Sequence, residues 1–165
     1  MTINDHQLQP KDNQMALLKN GQTEIYYETH GNGEPLLLIA GLASDSQSWA
    51  TVLPDLSKEF KIIVFDNRGV GRTKCPVNQI TIEGMADDAV ALLDHLKIDI
   101  AHIVGHSMGG FVAQHICINH PQRVDKLVLA ATSAVTSERD KSLLIDMVKY
   151  WENGMDRELW FRNLF

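Results

Sequence analysis

IAHIVGHSMGGFVA, residues 100–113, sets Ser107 among glycines where a short apolar run gives way to a helical pattern. A serine hydroxyl is a weak nucleophile at neutral pH. It needs a neighbouring base and must stand clear of the backbone. A sharp strand-to-helix turn supplies that clearance. The turn strains the residue at its apex and crowds the residues two positions away, which must be small. Gly105 and Gly109 meet that demand. Residues 100–106 are a short apolar run that predicts a buried strand, and 108–120 predict a helix that stops before Pro121. Ser107 then lies at a helix N-terminus, where unpaired N–H groups and the dipole favour negative charge. Strand before and helix after is the context that distinguishes a nucleophile elbow from a glycine-rich turn with an incidental serine.

Outward from this turn the chain alternates strand and helix signals. PLLLIA (35–40), KIIVFD (61–66) and VDKLVLAAT (124–132) are continuous apolar runs that predict strands buried on both faces. Ile82, Met85, Ala86, Ala89, Leu92, Leu93 and Leu96 recur at helical spacing over 81–97. Thr81 is the expected N-cap, and Asp87, Asp88 and Asp94 are among the polar positions. DSQSWATVLPDLSK (45–58) predicts a short helix interrupted near Pro54, and NRGVGRTKCP (67–76) a glycine-rich loop. MALLKNGQTEIYYETHG (15–31) predicts a hairpin about Asn20-Gly21, which suits a type I′ turn. Residues 137–164 predict helix, with Leu143, Leu144, Met147, Val148 and Trp151 on one face. The implied class is α/β: a mostly parallel, doubly wound sheet with an antiparallel N-terminal hairpin.

Composition narrows the function classes. The 165 residues suit one domain, and 44% hydrophobic content suffices for a core. A net charge of -6 without a basic tract points away from nucleic acid and from anionic membranes. Cys75 and Cys117 lack CxxC spacing and are expected as reduced thiols of a cytoplasmic protein. The polar start MTINDHQLQPKDNQ has no apolar signal core. No apolar run approaches the roughly 20 residues of a membrane span. The seven histidines and two cysteines form no metal-ligand cluster. RGVGRT lacks both phosphate-loop spacings. Neither metal nor cofactor is expected.

Several ordered landmarks over about residues 15–135 resemble the α/β-hydrolase superfamily. PLLLIAGLASDSQSW (35–49) is similar to its first oxyanion strand and loop, VFDNRGVGRT (64–73) to its Asp-x-Arg-Gly-x-Gly loop, and GHSMGG (105–110) to its elbow. HPQRVDKLVLAATS (120–133) is similar to the segment leading into the next strand. Among subfamilies the chain looks most like small cytosolic esterases and lactonases such as the 3-oxoadipate enol-lactonase group. The resemblance implies Ser107 as nucleophile, with the backbone amides of Leu42 and Met108 as the oxyanion hole. It also implies that Asp66 fixes its loop together with Arg68. Ala40-Gly41 stands where many relatives have His-Gly; the donor is a backbone amide, so the exchange leaves it in place. Relatives with aspartate at the elbow are dehalogenases and epoxide hydrolases, and Ser107 argues against both. The implied substrate is a small ester, thioester or lactone, attacked through an acyl-enzyme.

The family order is Ser, then Asp or Glu, then His. After Ser107 come only His115, two turns along the elbow helix, and His120. At about 1.5 Å rise per residue His120 is more than 15 Å away. His106 is expected to point away from the serine. His30, His95 and His102 are placed in a turn, a helix end and a strand start. The strand tip Ala131-Thr132-Ser133 carries no carboxylate. The expectation is therefore the N-terminal portion of such a fold: a flexible arm at 1–13, an α/β core at 14–135, and the start of a helical cap or lid at 136–165. The fold would be truncated before its last strands, on the order of 80 residues at about 30 per strand–helix unit. Such a chain is expected to be slow or inactive alone. It is also expected to self-associate through the uncovered strand edge at 124–132. The alternatives are a non-catalytic binding remnant and a Ser-dependent perhydrolase or C–C bond hydrolase.

Overall fold

The computed structural model describes residues 13–156 and 158–159. The chain divides into two compact units, Met1–Thr132 and Ser133–Phe165. Residues 1–12 of the expected arm lie outside the described residues, and Asn13 already opens the first strand.

The first unit is built on one six-stranded sheet in the order β1-β2-β4-β3-β5-β6. Its strands are β1 (Asn13–Asn20), β2 (Thr23–His30), β3 (Glu34–Ile39), β4 (Phe60–Phe65), β5 (Ala101–His106) and β6 (Val124–Ala130). β1, β2 and β4 pair antiparallel, while β4, β3, β5 and β6 pair parallel. The class is the one expected, but the hairpin turn is shifted by one residue. Asn20 pairs with Thr23, so the central residues are Gly21 and Gln22. Only Gly21 has a positive φ, 59°. That is the pattern of a type II′ turn, not the type I′ turn expected about Asn20-Gly21.

The continuous apolar runs of β3 and β4 are explained by burial on both faces of the sheet. β6, expected to be buried likewise, is half-buried or exposed along its length, because it has a strand on one side alone among the described residues. On one face Leu37, Ile39, Ile63 and Phe65 join the main core with helices α2 (Ile82–His95) and α3 (Met108–Asn119). On the other, Leu36, Leu38, Ile62 and Val64 pack with Trp49, Leu53 and Leu56. The expected interrupted helix over 45–58 resolves into a 3-10 turn at Ser46–Trp49 and the short α1 (Leu53–Leu56). Pro54 sits in α1's first turn, where its missing N–H goes unneeded. In α2 Thr81 caps as expected, accepting from the Gly84 N–H at 3.0 Å. Met85, Ala86, Ala89, Leu92 and Leu93 are buried, as the spacing predicts. Asp88, expected on the polar side, is instead buried beneath Arg68. β6 pairs only with β5 among the described residues, and it exposes Val128 and Leu129.

The second unit contains α4 (Glu138–Glu152), capped by Ser137, whose Oγ accepts from the Asp140 N–H at 3.1 Å. Gly154, at φ 81°, follows its end. The helix expected over 137–164 is therefore shorter; residues 157 and 160–165 lie outside the described residues. Leu143, Leu144, Ile145 and Val148 are exposed along α4.

Candidate active site at the β5–α3 turn

Ser107 stands between β5 and α3 with φ 52° and ψ -118°. A non-glycine residue held there stores about 1–3 kcal/mol of strain, which persists only where surroundings over-determine it. Its N–H donates to the Ala130 carbonyl of β6 at 2.9 Å, and its carbonyl accepts from the Gly110 N–H at 2.9 Å. The neighbouring glycines allow the chain to close. A Cβ at Gly105 would lie 2.7 Å from Gly110 Cα, and one at Gly109 2.6 Å from the Ala40 carbonyl oxygen. Both are impossible contacts with backbone. α3 has no acidic residue in its first turn, so nothing there offsets the positive end of its dipole.

The loop after β3 meets this turn. The chain leaves β3 toward β4 on one side and later places β5 on the other. Between them lies the topological switch point at the carboxyl ends of the strands, where open α/β sheets bind ligands. A Cβ at Gly41 would lie 3.2 Å from Ser107 Cβ and 3.4 Å from His106 Nδ1. The structure thus brings Gly41, the residue before Leu42, against Ser107, the residue before Met108. No hydrogen bond from the Leu42 or Met108 N–H is found among the described residues. Leu42 is exposed, and Ser107 and Met108 are half-buried. N–H groups without an internal partner next to a strained serine are suited to holding negative charge that develops on a carbonyl oxygen, and Met108 directly follows Ser107 while Leu42 follows Gly41.

The loop after β4 braces the site, though not through the expected pair. Asp66 is fully buried, and its carboxylate accepts from the Arg72 Nε at 3.0 Å, the Arg72 N–H at 2.8 Å and the Ser46 N–H at 2.9 Å. Burial alone would raise the Asp66 pKa. The bonds from Arg72 and Ser46 outweigh it and hold the carboxyl below its usual range. Arg68, the expected partner, instead pairs with Asp88 through Nε at 2.5 Å and Nη2 at 2.9 Å. Asn67, which the sequence reading passed over, donates from Nδ2 to the Ala40 carbonyl at 3.1 Å. Its position directly after a strand end, in FDNRG, was the available signal.

No described histidine hydrogen-bonds Ser107. His30 closes β2, not a turn, and lies 3.1 Å from Glu28. His95 Nε2 is 3.1 Å from Tyr27 Oη. His102 is buried between Glu34 at 3.0 Å and Asp125 at 3.1 Å. His115 pairs with Asn119 on α3, and His120 caps its end. His106 is exposed, with its ring edge-on to Trp49 at 6.4 Å. His6 lies outside the described residues. Among the described residues no three His, Cys, Asp or Glu are placed to hold a metal ion. No helix among them is long and apolar enough to cross a membrane.

Comparison with known proteins follows the same geometry. A family model described as the alpha/beta hydrolase fold matches residues 34–162. A Caulobacter sp. (strain K31) protein provisionally named carbamate hydrolase RutD is 36% identical over 110 residues, 64% of this chain and 41% of that protein. The enol-lactonase from Burkholderia xenovorans LB400 superposes with a TM-score of 0.76 at 30% identity, covering 84% of this chain and 55% of the enzyme. Est816, an N-acyl homoserine lactone degrading enzyme, superposes with a TM-score of 0.72 at 29% identity, covering 82% of this chain and 54% of Est816. The chain thus spans less than half the length of the Caulobacter protein and about half of each enzyme.

Proposed function

Because this chain belongs to the α/β-hydrolase fold family, we propose that it carries the nucleophile and oxyanion-binding parts of a serine hydrolase. Ser107 Oγ attacks the carbonyl carbon of a small ester, thioester or lactone. The carbonyl π electrons move onto oxygen, where the Leu42 and Met108 N–H groups receive them. Collapse expels the alcohol or thiol and leaves an acyl-Ser107 ester, which water hydrolyses. Each aimed donor contributes on the order of 3–4 kcal/mol to such a transition state. One observation carries the proposal: Ser107 holds a positive φ at a tight strand–helix bend, with Gly41 pressed against its Cβ. The lactone enzymes among the structural neighbours support a small-molecule carbonyl substrate. The Caulobacter relative extends the class to carbamates.

The proton of Ser107 needs a base, and no described histidine reaches it. A serine hydrolase without its base keeps only oxyanion and binding effects. The chain alone therefore turns over slowly, with the triad His and Asp supplied from outside the described residues. A fluorophosphonate probe tests the site: slow, stoichiometric phosphonylation at Ser107, absent in Ser107→Ala, is expected. A folded chain that never labels at Ser107 overturns the proposal in favour of a non-catalytic remnant.

Three further parts belong to the same proposal. Residues 136–165, with the apolar stripe of α4, begin a helical cap. The open edge of β6, with exposed Val128 and Leu129, pairs between copies; sedimentation velocity should show a species that grows with concentration. Cys75 and Cys117, both free, fit a reducing cytoplasm.

A further inference from the structure

We infer that Asn67 is a positioning residue for the oxyanion site: by holding the Ala40 carbonyl it aims the Leu42 N–H toward Ser107. The inference rests on the serine-hydrolase proposal above and names a residue that proposal does not use.

The backbone of the oxyanion loop leaves the sheet before it reaches the site. The ladder between β3 and β4 ends at Leu38–Val64, and that between β3 and β5 ends at Ile39–Gly105. Ala40 lies past both, so no neighbouring strand orients its carbonyl. The next residue is Gly41, buried against Ser107 and His106, so the Gly41–Leu42 peptide follows the direction in which the Ala40–Gly41 plane leaves the sheet. A peptide plane past the ladder and before a glycine needs an outside tie. Over residues 41–44 the hydrogen bonds described are internal, from the Ser44 N–H to the Gly41 carbonyl at 3.3 Å and from Ser44 Oγ to the Leu42 carbonyl at 3.4 Å, and the next outside tie is at Ser46, whose N–H donates to Asp66. The tie is Asn67 Nδ2, 3.1 Å from the Ala40 oxygen, with both residues buried. In effect a side-chain amide adds one rung to the β3–β4 ladder.

The other end of the same amide sharpens the point. Asn67 Oδ1 is buried without a hydrogen-bond partner, which is unfavourable for a polar atom. The donor is what the amide contributes here. A leucine at 67 would remove that orphan and leave the Ala40 carbonyl as a new one. The two changes oppose each other, so global stability should move little while loop direction is lost. A merely structural side chain would show the reverse.

The test uses the full chain with 15N-labelled leucine, so that Leu42 is read beside Leu37 and Leu92 as internal reporters of the fold. In Asn67→Leu, with Asn67→Ala as the second variant, the Leu42 amide resonance should shift, split or broaden while Leu37 and Leu92 hold. Phosphonylation of Ser107 should slow about 10-fold. A full loss of one oxyanion donor costs about 10²–10³ in rate, and here the donor is misaimed, not deleted. An unmoved Leu42 resonance in both variants overturns the inference, as does a moved resonance with undiminished labelling. Loss of the Leu37 and Leu92 signals in both variants also overturns it, because Asn67 then serves folding alone. If the parent chain never labels while Leu42 still moves, the hydrolase proposal fails and the Asn67 tie stands.

Discussion

Gly109→Ala sets two effects of opposite sign against each other. Gly109 lies in the first turn of α3 and does not need a positive φ. Helix propensity alone therefore makes alanine about 1 kcal/mol better. Packing opposes it. The added Cβ would meet the Ile39 carbonyl oxygen first, and would lie 2.6 Å from the Ala40 carbonyl oxygen and 2.7 Å from the Ile39 carbonyl carbon. These are backbone atoms at the carboxyl end of β3, a central strand, so no rotamer change relieves the clash. Ordinary contact begins at 3.4 Å, and the Ile39 oxygen is closer than the Ala40 oxygen, so α3 must retreat by more than 3.4 minus 2.6, or 0.8 Å. Overpacking costs about 1–3 kcal/mol, and rigid neighbours place this case near 3. The net is about 2 kcal/mol of destabilisation. At about 2–4 °C per kcal/mol for a chain of this size, Tm should fall by about 4–8 °C. Thermal unfolding followed by far-UV circular dichroism reads it. A variant as stable as the parent, or more stable, would refute the close approach of α3 to β3 on which the site depends.

Ser107→Gly and Ser107→Ala separate strain from chemistry. Glycine relieves the φ of 52°, worth about 1–3 kcal/mol, and loses about 0.5–1 kcal/mol in chain entropy. The glycine variant should be the more stable by about 1 kcal/mol; the reverse order in urea melts would remove the strain. Arg68→Met strands Asp88, whose side chain is 2% exposed, and should lower stability by about 3–5 kcal/mol, read as a fallen urea midpoint. Asp66 has a folded pKa below its unfolded one. Its stabilisation is complete above the ordinary carboxylate range near pH 4 and is lost as pH falls through the lowered value. Asp66→Asn should therefore flatten the acid limb of Tm below the ordinary carboxylate range, and an unchanged limb would contradict the assignment.

The sheet and its helices were legible because burial on both faces leaves a mark that needs no partner to be seen. Leu36 to Ile39 and Ile62 to Phe65 are apolar at every position since each face meets a different layer. The elbow was legible for a related reason: Gly105 and Gly109 are needed by local chain closure. What depends on tertiary approach was not. Asp88 sits in the helical pattern of α2 like any polar residue, and only the arrival of Arg68 buries it. Asp66 was expected with its near neighbour Arg68, yet the loop turns back at Gly69 and Gly71, both with positive φ, and delivers Arg72. The hairpin turn failed by one residue because the Asn-Gly signal fits either register, and the cross-strand pairing decides it. The proposed oxyanion amides rest on family resemblance, since a backbone N–H leaves no trace in residue type.

A crystal structure of the fluorophosphonate-treated chain tests the central claim most directly. The phosphorus should be bonded to Ser107 Oγ, with its free oxygen about 2.7–3.1 Å from the backbone nitrogens of Leu42 and Met108. An adduct on another residue, or an oxygen turned to solvent beyond reach of both amides, would contradict it.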